Sequence, residues 1–580
     1  MHTSLLFDGM TVTANIPCRM DAQAVDADKV KLSVSWDEMK QEAPCLTVEW
    51  MMPVQDMQYM WYPNCGFQRS LRVDWMEPVN SRISCSAPVY VLFNQAGENR
   101  MTVALSDALT DIDTLIGVHE ESGEFKCSVH IPLDKTGMTH AYSVTLLRNT
   151  EKVSFAAALR HVSTWWETAC GYKPMPVPES ARQPLYSCWY SFHQHTVADE
   201  ILAECKRARA IGFDTVIVDD GWQTADGNRG YGYCGDWQAC EDKIPDMRAL
   251  VDRVHRVGMK FMLWYSVPFV GYFSAHWEEF KGMLLREVPA LHCGVLDPRY
   301  PQVRAYLQST YEQALKNWDL DGFKLDFIDD FLPTTQAPAP REGMDYIRVE
   351  DAVLALMQGI MKTLRTIKPD ILIEFRQHYV GPAMRTFGNM FRVGDCPNDP
   401  LKNRVGTVDL RLLSGNTAIH SDMLMWNAGE SARCVAGQIL NVIFAVPQIS
   451  VKLDRATDEQ LRQLRFWMDF AKQHRALLAA PMEVMSPQHL YPLVRTALDG
   501  EEALAVYDQV VVPLHTQSTT YLMNAAAREE TVLRPDQPCA MTACVYNCMG
   551  ELLGETVLDA AVLWEVCIPV GGYAVLKKKI

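Results

Sequence analysis

The feature that most constrains this chain is a long central segment in which short apolar stretches alternate with helical ones. Such alternation is typical of repeated βα units, whose strands pair in parallel and are covered by the intervening helices. The candidate strands are residues 187–192, 215–222, 260–266, 291–296, 323–327, 371–375, 390–394 and 417–424. Eight strands in about 300 residues predict a closed (β/α)8 barrel, and a doubly wound open sheet is the alternative.

Strand-like patterns flank this central segment on both sides. Residues 30–36 alternate between apolar and polar, and residues 87–93 are rich in β-branched and aromatic side chains, so a β-sandwich is predicted over 1–175. Strand-like stretches return at 503–507 and 572–576, which predicts a small β-domain over 481–580. The predicted fold class is therefore α/β, with a central TIM barrel at 176–480 between two β-domains.

Composition excludes several classes of partner. The net charge of −17 and the pI near 5.4 argue against nucleic acid, because phosphate binding needs clustered Lys and Arg. Since no apolar run reaches about 18 residues, no membrane span is predicted. The beginning of the sequence lacks the pattern of a secretory signal, and the 17 cysteines are not dense enough for a disulfide scaffold. We therefore expect a cytoplasmic protein with free thiols.

Polar side chains gather where the candidate strands end. In a barrel the carboxyl ends of the strands form the active-site face, so these residues are expected to converge. They are Asp219, Asp220 and Trp222 after the second candidate strand, Asp236 and Trp237 in the following loop, Trp264 in the third, Lys324 and Asp326 in the fifth, Arg376 and His378 after the sixth, Arg392 and Asp395 at the seventh, and Asp422 at the eighth.

Carboxylates combined with indole rings are typical of a sugar site. Carboxylates accept hydrogen bonds from hydroxyls, and indole faces stack on the apolar side of a pyranose. Retaining glycosidases use two carboxyl groups about 5 to 5.5 Å apart, one as nucleophile and the other as acid/base. An ionised Asp326 within an apolar strand needs a compensating partner, and Lys324 is a candidate.

Structural interpretations remain open for several of these residues. Asp326 could belong only to a buried ion pair with Lys324, and Asp395 could be the N-cap of a helix over 400–411. The adjacent aspartates after the second strand could bind Mg²⁺ or Mn²⁺, and the tryptophans could simply be core residues. The cysteines lack the spacing of a zinc site, and we predict neither a metal nor a cofactor.

Four sequence motifs resemble those of glycoside hydrolase family 36, the α-galactosidase group of clan D. The resemblance extends over residues 185–430, and the flanking β-domains fit the family's usual arrangement. The motifs are Val218-Asp219-Asp220-Gly221-Trp222, Gly235-Asp236-Trp237, Lys324-Leu325-Asp326-Phe327 and Arg392-Val393-Gly394-Asp395.

This resemblance implies a role for each motif. It makes Asp326 the nucleophile and Asp395 the acid/base, with Lys324 and Arg392 as substrate contacts. The two aspartates of the first motif would hold the sugar's 4- and 6-hydroxyls. Because the spacing between the arginine and the carboxylate of the last motif departs from the family's pattern, Asp399 is an alternative acid/base.

A second departure follows the sixth candidate strand. Many family members have a cysteine and small residues there, framing the sugar's 2-position, whereas this chain has Arg376 and His378. We hypothesise that one of them contacts a substituent of the sugar or a neighbouring unit, such as a carboxylate or a sulfate. The alternative is a structural arginine paired with Glu374.

The resemblance implies a retaining α-glycosidase that hydrolyses terminal α-galactosyl-type residues of oligosaccharides or glycoconjugates by double displacement. Alternatives are an α-N-acetylgalactosaminidase, a glycosidase or transglycosidase acting on a substituted or anionic α-galactoside, and a non-catalytic sugar-binding protein. The expected partner is an oligosaccharide or glycoside, with neither nucleic acid nor membrane, and the chain could form a homo-oligomer.

Overall fold

The computed structural model describes residues 3–37, 45–133 and 140–579. Two antiparallel six-stranded sheets form the N-terminal part, and their facing sides enclose a core of their own. The strands are β1 Thr3–Phe7, β2 Met10–Ala14, β3 Arg19–Ala24, β4 Lys29–Ser35, β5 Cys45–Pro53, β6 Tyr59–Trp61, β7 Val79–Ser81, β8 Val89–Phe93, β9 Asn99–Leu105, β10 Ile112–His119, β11 Glu124–Pro132 and β12 Ala141–Asn149. The sheet orders are β1-β2-β5-β11-β10-β7 and β3-β4-β12-β9-β8-β6, which confirms the predicted sandwich.

Together with the helix that connects it to the sandwich, the central segment contains eleven α-helices, α1 to α11, and the strands β13 to β23. The helices are α1 Phe155–Thr168, α2 Trp189–Phe192, α3 Ala198–Ala210, α4 Met247–Val257, α5 Trp277–Phe280, α6 Pro301–Trp318, α7 Val349–Ile367, α8 Pro400–Leu413, α9 Ala432–Asn441, α10 Asp458–Gln473 and α11 Arg475–Ala479. The strands are β13 Leu185–Ser187, β14 Thr215–Val218, β15 Lys260–Ser266, β16 Phe269–Gly271, β17 Leu284–Val288, β18 Cys293–Leu296, β19 Gly322–Asp326, β20 Leu372–Arg376, β21 Met390–Arg392, β22 Ala418–His420 and β23 Gln448–Ile449.

Eight of these strands form the parallel barrel, in the order β22-β21-β20-β19-β15-β14-β13-β23. Parallel bridges from His420 to Val446 and from Leu424 to Ile449 bring the two ends of the sheet together. The strands are buried along nearly their whole length, as expected for a parallel sheet covered by helices. The predicted (β/α)8 fold is thus confirmed, and the alternative of an open sheet is wrong.

Two of the candidate strands were wrong in detail. The one predicted at 291–296 corresponds to β18, which pairs antiparallel with β16 and β17 in a separate three-stranded sheet. The eighth barrel strand is instead β23, which has only two residues. The candidate at 187–192 begins where β13 ends, and α2 occupies most of it. Candidate strands five to eight are therefore barrel strands four to seven.

Local signals fix where the barrel helices begin and end. Asp246 accepts a hydrogen bond from the backbone of Ala249 at 2.9 Å and so caps α4. The same helix ends at Gly258, whose φ of 88° lies in the left-handed region that favours glycine. The apolar side of α4, which includes Leu250 and Val254, is buried against the barrel. Among the described helices, none is both long and apolar enough to cross a bilayer.

The C-terminal part is a β-domain of two sheets, as predicted. Its strands are β24 Met482–Met485, β25 Leu493–Leu498, β26 Glu501–Val506, β27 Val512–Leu514, β28 Thr519–Asn524, β29 Glu530–Pro535, β30 Met541–Tyr546, β31 Leu552–Leu558, β32 Trp564–Cys567 and β33 Tyr573–Lys578. Seven of them form one sheet and three form the other. We keep the boundaries at 175 and 480 as proposals.

A buried polar cluster joins the three parts of the molecule. Arg69 of the sandwich donates to the carboxylate of Asp409 on α8 at 3.3 Å, and the hydroxyl of Tyr491 in the C-terminal part also bonds to Asp409. In addition, the backbone N–H of Ser86 donates to the carbonyl oxygen of His378 at 2.8 Å. These contacts hold a loop of the sandwich against the open end of the barrel.

Candidate active site

The carboxyl ends of the barrel strands surround a cavity of about 500 Å³. This volume lies within the range of small-molecule sites, about 300 to 1,000 Å³. The predicted residues that line it are Asp219, Asp220, Trp264, Lys324, Asp326, Arg376, His378, Arg392 and Asp395. The structure therefore brings together residues from five different strands and the turns that follow them.

Trp222 does not reach this cavity. Its ring is fully buried, and its indole N–H donates to the carbonyl oxygen of Trp264 at 2.9 Å. The turn before it requires Gly221, which has a φ of 106° and approaches Gln194 so closely that a Cβ would lie 2.3 Å from its Cα. Trp222 therefore supports the wall of the cavity, and the expectation that it contacts substrate needs correction.

Asp236 and Trp237 also lie outside the cavity. Asp236 accepts hydrogen bonds from Ser274 Oγ at 2.8 Å and from the backbone N–H of Ala275 at 2.9 Å. Trp237 packs behind Trp264, with ring centroids 6.2 Å apart, and borders a separate cleft. Their predicted substrate contacts are not supported, because the loop that holds them packs on the outer side of the aromatic wall.

Asp422 is fully buried beneath the cavity surface. Its carboxylate accepts from Arg392 Nη1 at 2.5 Å, from the hydroxyl of Tyr190 at 2.9 Å and from the backbone N–H of Cys396 at 2.7 Å. By accepting from these three donors, Asp422 orients Arg392 and the turn after β21. The predicted direct contact with substrate is corrected to this indirect role.

Asp326 lies at the carboxyl end of β19, facing the cavity. Its Oδ1 accepts hydrogen bonds from Arg376 Nε at 2.6 Å and from the backbone N–H of Phe327 at 2.8 Å, and the Tyr379 hydroxyl, which bonds to the Leu325 carbonyl at 3.0 Å, lies 3.3 Å from it. Its Oδ2 accepts one, from Trp264 Nε1 at 3.0 Å. Burial alone would raise the pKa of Asp326, but Arg376 and Lys324 hold it well below its usual range. The carboxylate is therefore ionised and available as a nucleophile.

Lys324 pairs with a different carboxylate from the one expected. Its Nζ donates to Asp219 Oδ2 at 2.6 Å, and both side chains are almost fully buried. Burial would lower the pKa of Lys324, but the charge of Asp219 raises it above its usual value. The ammonium group is thus charged, and it still contributes to the field at Asp326.

The two adjacent aspartates after β14 already accept hydrogen bonds from nearby side chains. Lys324 takes one oxygen of Asp219, whereas Asp220 accepts from the amides of Gln194 at 2.6 Å and Gln223 at 2.7 Å. These donors occupy positions that a divalent cation would need, and the described residues contain no cluster of three potential ligands. Burial raises the pKa of Asp220 to about 6. The arrangement suits hydrogen bonding to sugar hydroxyls.

Arg376 is committed to two carboxylates. Besides its bond to Asp326, its Nη atoms lie 3.2 and 3.3 Å from the carboxylate of Asp329, and Nη1 donates to the Gln377 carbonyl at 2.7 Å. The proposed alternative partner Glu374 instead accepts from Gln448, at 2.5 Å. With most of its N–H groups already donating to these acceptors, the guanidinium has little capacity left to bind an anionic sugar. The geometry therefore favours a role in positioning the Asp326 carboxylate.

His378 is also a weak candidate for binding an anion. Its side chain lines the cavity, and desolvation lowers its pKa below the usual value. The imidazole is therefore neutral near pH 7. A neutral ring can still exchange hydrogen bonds with a sugar hydroxyl.

The structure separates Asp395 from its nearby alternative Asp399. Asp399 accepts from the backbone N–H of Lys402 at 2.9 Å and is the N-cap of α8, a role suggested for Asp395. Asp395 instead lines the cavity, accepts from Arg392 Nη1 at 2.9 Å and has a side chain that is 57% exposed. Partial desolvation would raise the pKa of Asp395, but Arg392 holds it below its usual value.

Several cavity residues were not anticipated from the sequence. They are Asn64, Gly66 and Phe67 from the sandwich, Trp189 and Tyr231 from the segments after β13 and β14, and Lys402 and Asp409 from α8. A correct end for the first barrel strand would have pointed to Trp189, which lies just beyond it. No local pattern marks the sandwich loop as part of the site.

Comparisons with known proteins agree with this geometry. Residues 179–381 match the family model described as Melibiase. The chain is 26% identical over 211 residues to the α-galactosidase Mel36A of Lactobacillus acidophilus, which covers 34% of this chain and 27% of that protein. It is 37% identical over 201 residues to the bifunctional α-galactosidase/sucrose kinase AgaSK of Mediterraneibacter gnavus, which covers 33% of this chain and 20% of that protein. The chain resembles the α-galactosidases of glycoside hydrolase family 36.

The predicted resemblance is thus confirmed, although the aligned part spans only 27% and 20% of the lengths of these two relatives. A solved structure supports the fold over a wider range. The GH36 α-galactosidase AgaA variant of Geobacillus stearothermophilus, in complex with raffinose, has a TM-score of 0.63 at 14% identity and covers 98% of this chain and 81% of that chain. The Melibiase match ends before Arg392 and Asp395, whose roles therefore rest on the geometry of this site.

Proposed function

We propose that this protein is a retaining α-glycosidase that hydrolyses terminal α-galactosyl residues of oligosaccharides or glycoconjugates. The observation that carries this proposal is that Asp326 and Asp395 face one cavity from the ends of β19 and β21. The two carboxylates are close enough for the charge of Asp326 to oppose the lowering of the Asp395 pKa by Arg392. One is buried and held by donors, and the other is open to the cavity, which suits a nucleophile and an acid/base.

The reaction follows as a double displacement. In the first step Asp326 attacks the anomeric carbon while Asp395 protonates the departing glycosidic oxygen. In the second step Asp395 accepts a proton from water, which attacks the anomeric carbon and releases Asp326. An acceptor hydroxyl in place of water would give transglycosylation.

The charge of Asp326 works against ionisation of Asp395, although Arg392 outweighs it in the free enzyme. In the free enzyme the negative Asp326 opposes the pKa-lowering effect of Arg392 on Asp395. Once Asp326 is esterified this negative charge is gone, so the pKa of Asp395 falls further. Asp395 is then a carboxylate when a base is needed to activate water.

The remaining cavity residues suit recognition of the sugar itself. Asp219 and Asp220 offer carboxylate oxygens to hydroxyl groups, and the Trp264 ring adds an apolar surface. Lys324 and Arg392 supply charged donors beside them. We assign these five residues to substrate binding, together with His378 at the cavity wall, whereas Arg376 holds the Asp326 carboxylate.

The direct test is turnover of a panel of nitrophenyl α-glycosides: galactoside, N-acetylgalactosaminide, glucoside and galacturonide. We expect nitrophenol release from the galactoside, with unchanged rates in EDTA, and its loss in Asp326→Asn. Asp399→Asn is the matched control, because it removes a nearby carboxylate outside the cavity. Release of nitrophenol from only the N-acetylgalactosaminide or only the galacturonide would change the assigned glycone. If the protein binds members of the panel but releases nitrophenol from none of them, it is a sugar-binding protein.

We further propose a cytoplasmic location. All seventeen cysteines lie in the described part of the chain and are free thiols, as expected in a reducing compartment. Self-association into a homo-oligomer stays a prediction, and light scattering of the purified protein tests it.

A further inference from the structure

The two oxygens of the Asp326 carboxylate are not equivalent. Oδ1 accepts hydrogen bonds from Arg376 Nε at 2.6 Å and from the Phe327 backbone N–H at 2.8 Å. The hydroxyl of Tyr379 lies 3.3 Å from Oδ1, but its shorter bond, at 3.0 Å, goes to the carbonyl oxygen of Leu325. Oδ2 accepts only the hydrogen bond from Trp264 Nε1, at 3.0 Å. Because a carboxylate oxygen has about two lone-pair positions, Oδ1 is saturated and Oδ2 retains capacity to bond.

Arg376 is itself rigidly held. Its Nη atoms lie 3.2 and 3.3 Å from the oxygens of Asp329, and its guanidinium carbon lies 5.2 Å from the ring centroid of Phe327 and 5.4 Å from that of Tyr379. A side chain with a carboxylate on each side and aromatic rings against it has few alternative rotamers. The Nε bond to Asp326 is therefore a fixed feature of the cavity floor.

We propose that Arg376 is a positioning residue that directs Oδ2 of Asp326 to attack and stabilises the same carboxylate when it departs. The proposal deepens the proposed glycosidase function and rests on it. In the first step a lone pair of Oδ2 forms the bond to the anomeric carbon, whose bond to the glycosidic oxygen breaks. That electron pair stays on the departing oxygen, which takes the proton of Asp395.

In the second step water forms its bond to the anomeric carbon and gives a proton to Asp395. The bond between the anomeric carbon and Oδ2 breaks, and its electron pair returns to the Asp326 carboxylate. Arg376 stabilises this returning charge through Oδ1 without having to move. The arginine thus makes Asp326 a weaker base but a better leaving group, so its largest effect is on release of the sugar.

Other charges also act on Asp326, and a test has to account for them. The charged or titratable groups near it are Lys324 on its own strand, Asp329 and Asp330 after that strand, Asp219 and Asp220 after β14, Tyr231 in the following loop, Arg376, His378 and Tyr379 at and after β20, and Arg392 and Asp395 at β21. Of these, Arg376 makes the only ion-pair contact to the carboxylate itself among the residues that the structure describes. Substitution of Arg376 therefore removes the contact while leaving the other charges in place.

The variants for the test are Arg376→Met, which removes the charge, and Arg376→Lys, which retains it. In Arg376→Met we expect slower release of the sugar, by about ten- to a hundredfold, because a hydrogen bond to a charged group is lost. Nitrophenol should then appear in a pre-steady-state burst, since the glycosyl intermediate accumulates. Arg376→Lys should restore part of the rate. If formation of the glycosyl intermediate and release of the sugar are slowed equally, with no burst, the assignment of Arg376 to the departing carboxylate is overturned.

A second measurement does not depend on turnover. The ¹³C resonance of the Asp326 carboxyl, assigned by comparison with Asp326→Asn, should not titrate in the wild type down to mildly acidic pH. In Arg376→Met its midpoint should move to higher pH, because the positive charge that favours the ionised form has gone. An unchanged midpoint in folded Arg376→Met would overturn the proposal even if the protein hydrolyses no glycoside. Conversely, a shifted midpoint together with a wild type that hydrolyses no glycoside would contradict the proposed function and leave the role of Arg376 at Asp326 intact.

Discussion

Lys324 donates a hydrogen bond to Asp219 across 2.6 Å, between two barrel strands that are not neighbours in the sheet. Both side chains are nearly inaccessible to solvent. This pair spans the floor of the cavity and places a fixed ammonium group near Asp326. It shows that the charge balance of the site is shared among several strands.

Loss of this ion pair should destabilise the protein. In Lys324→Met the carboxylate of Asp219 stays buried without its partner, so we expect the free energy of unfolding to fall by about 3 to 5 kcal/mol. Urea unfolding measures the change. The double variant Lys324→Met with Asp219→Asn leaves no unpaired charge and should recover most of the loss. Equal stability of the single and double variants would contradict a coupled pair.

The roles of Asp395 and Asp399 predict different effects for two similar substitutions. Asp395→Asn should lower kcat for nitrophenyl and oligosaccharide substrates, by about a hundredfold or more where the leaving group needs a proton. Galactosyl fluoride, whose leaving group needs no proton, should be affected less in its first step. Asp399→Asn should leave both activity and stability nearly unchanged, because asparagine caps a helix about as well as aspartate, whereas Asp399→Ala should lower stability by about 1 kcal/mol through loss of the α8 cap. A large activity loss in Asp399→Asn would instead support it as the acid/base.

The Asp220 carboxyl should make stability depend on pH. Burial raises its pKa from 3.8 to about 6, so the folded state prefers the protonated form. This contribution is fully present below pH 3.8 and is lost as the pH rises through about 6, a change of about 3 kcal/mol at about 1.4 kcal/mol per unit. Asp220→Asn cannot ionise and should lose less stability over that interval. Parallel pH profiles for the two proteins would contradict the shift.

Phe67 should affect the leaving part of the substrate. Its ring belongs to the sandwich, lines the cavity and remains 45% exposed, so it is free to contact a second sugar unit. For Phe67→Ala we expect KM for an oligosaccharide to rise about tenfold, a change of about 1.4 kcal/mol. Galactosyl fluoride has no second sugar and is the matched control. If both substrates lose affinity equally, Phe67 acts on the barrel rather than on the aglycone.

The barrel itself was predictable because its strands and helices alternate clearly. The strand predicted at 260–266 agrees with β15, and the strand predicted at 323–327 differs from β19 by one residue at each end. The errors arose where the local sequence does not show which strand a segment pairs with. Residues 293–296 are as apolar and as buried as a barrel strand, whereas β23 is too short to show any periodicity.

The site shows the same limit. Carboxylates at strand ends were found because the barrel places those ends together. The partner of Lys324 was not predicted, because Asp219 lies 105 residues away in the sequence and only the closed barrel brings the two side chains together. Indole rings look the same in a sequence whether they line a cavity or support it, which is why Trp222 was misplaced. By contrast, the cap at Asp399 could have been recognised from the proline that follows it.

The most direct measurement is identification of the residue that becomes glycosylated. The protein would be incubated with a 2-fluoro α-galactoside that carries a good leaving group, digested, and mapped by mass spectrometry. The account predicts one galactosyl-derived adduct, on the peptide that contains Asp326, and none in Asp326→Asn. An adduct on another carboxylate, or turnover that proceeds with Asp326→Asn, would contradict Asp326 as the nucleophile.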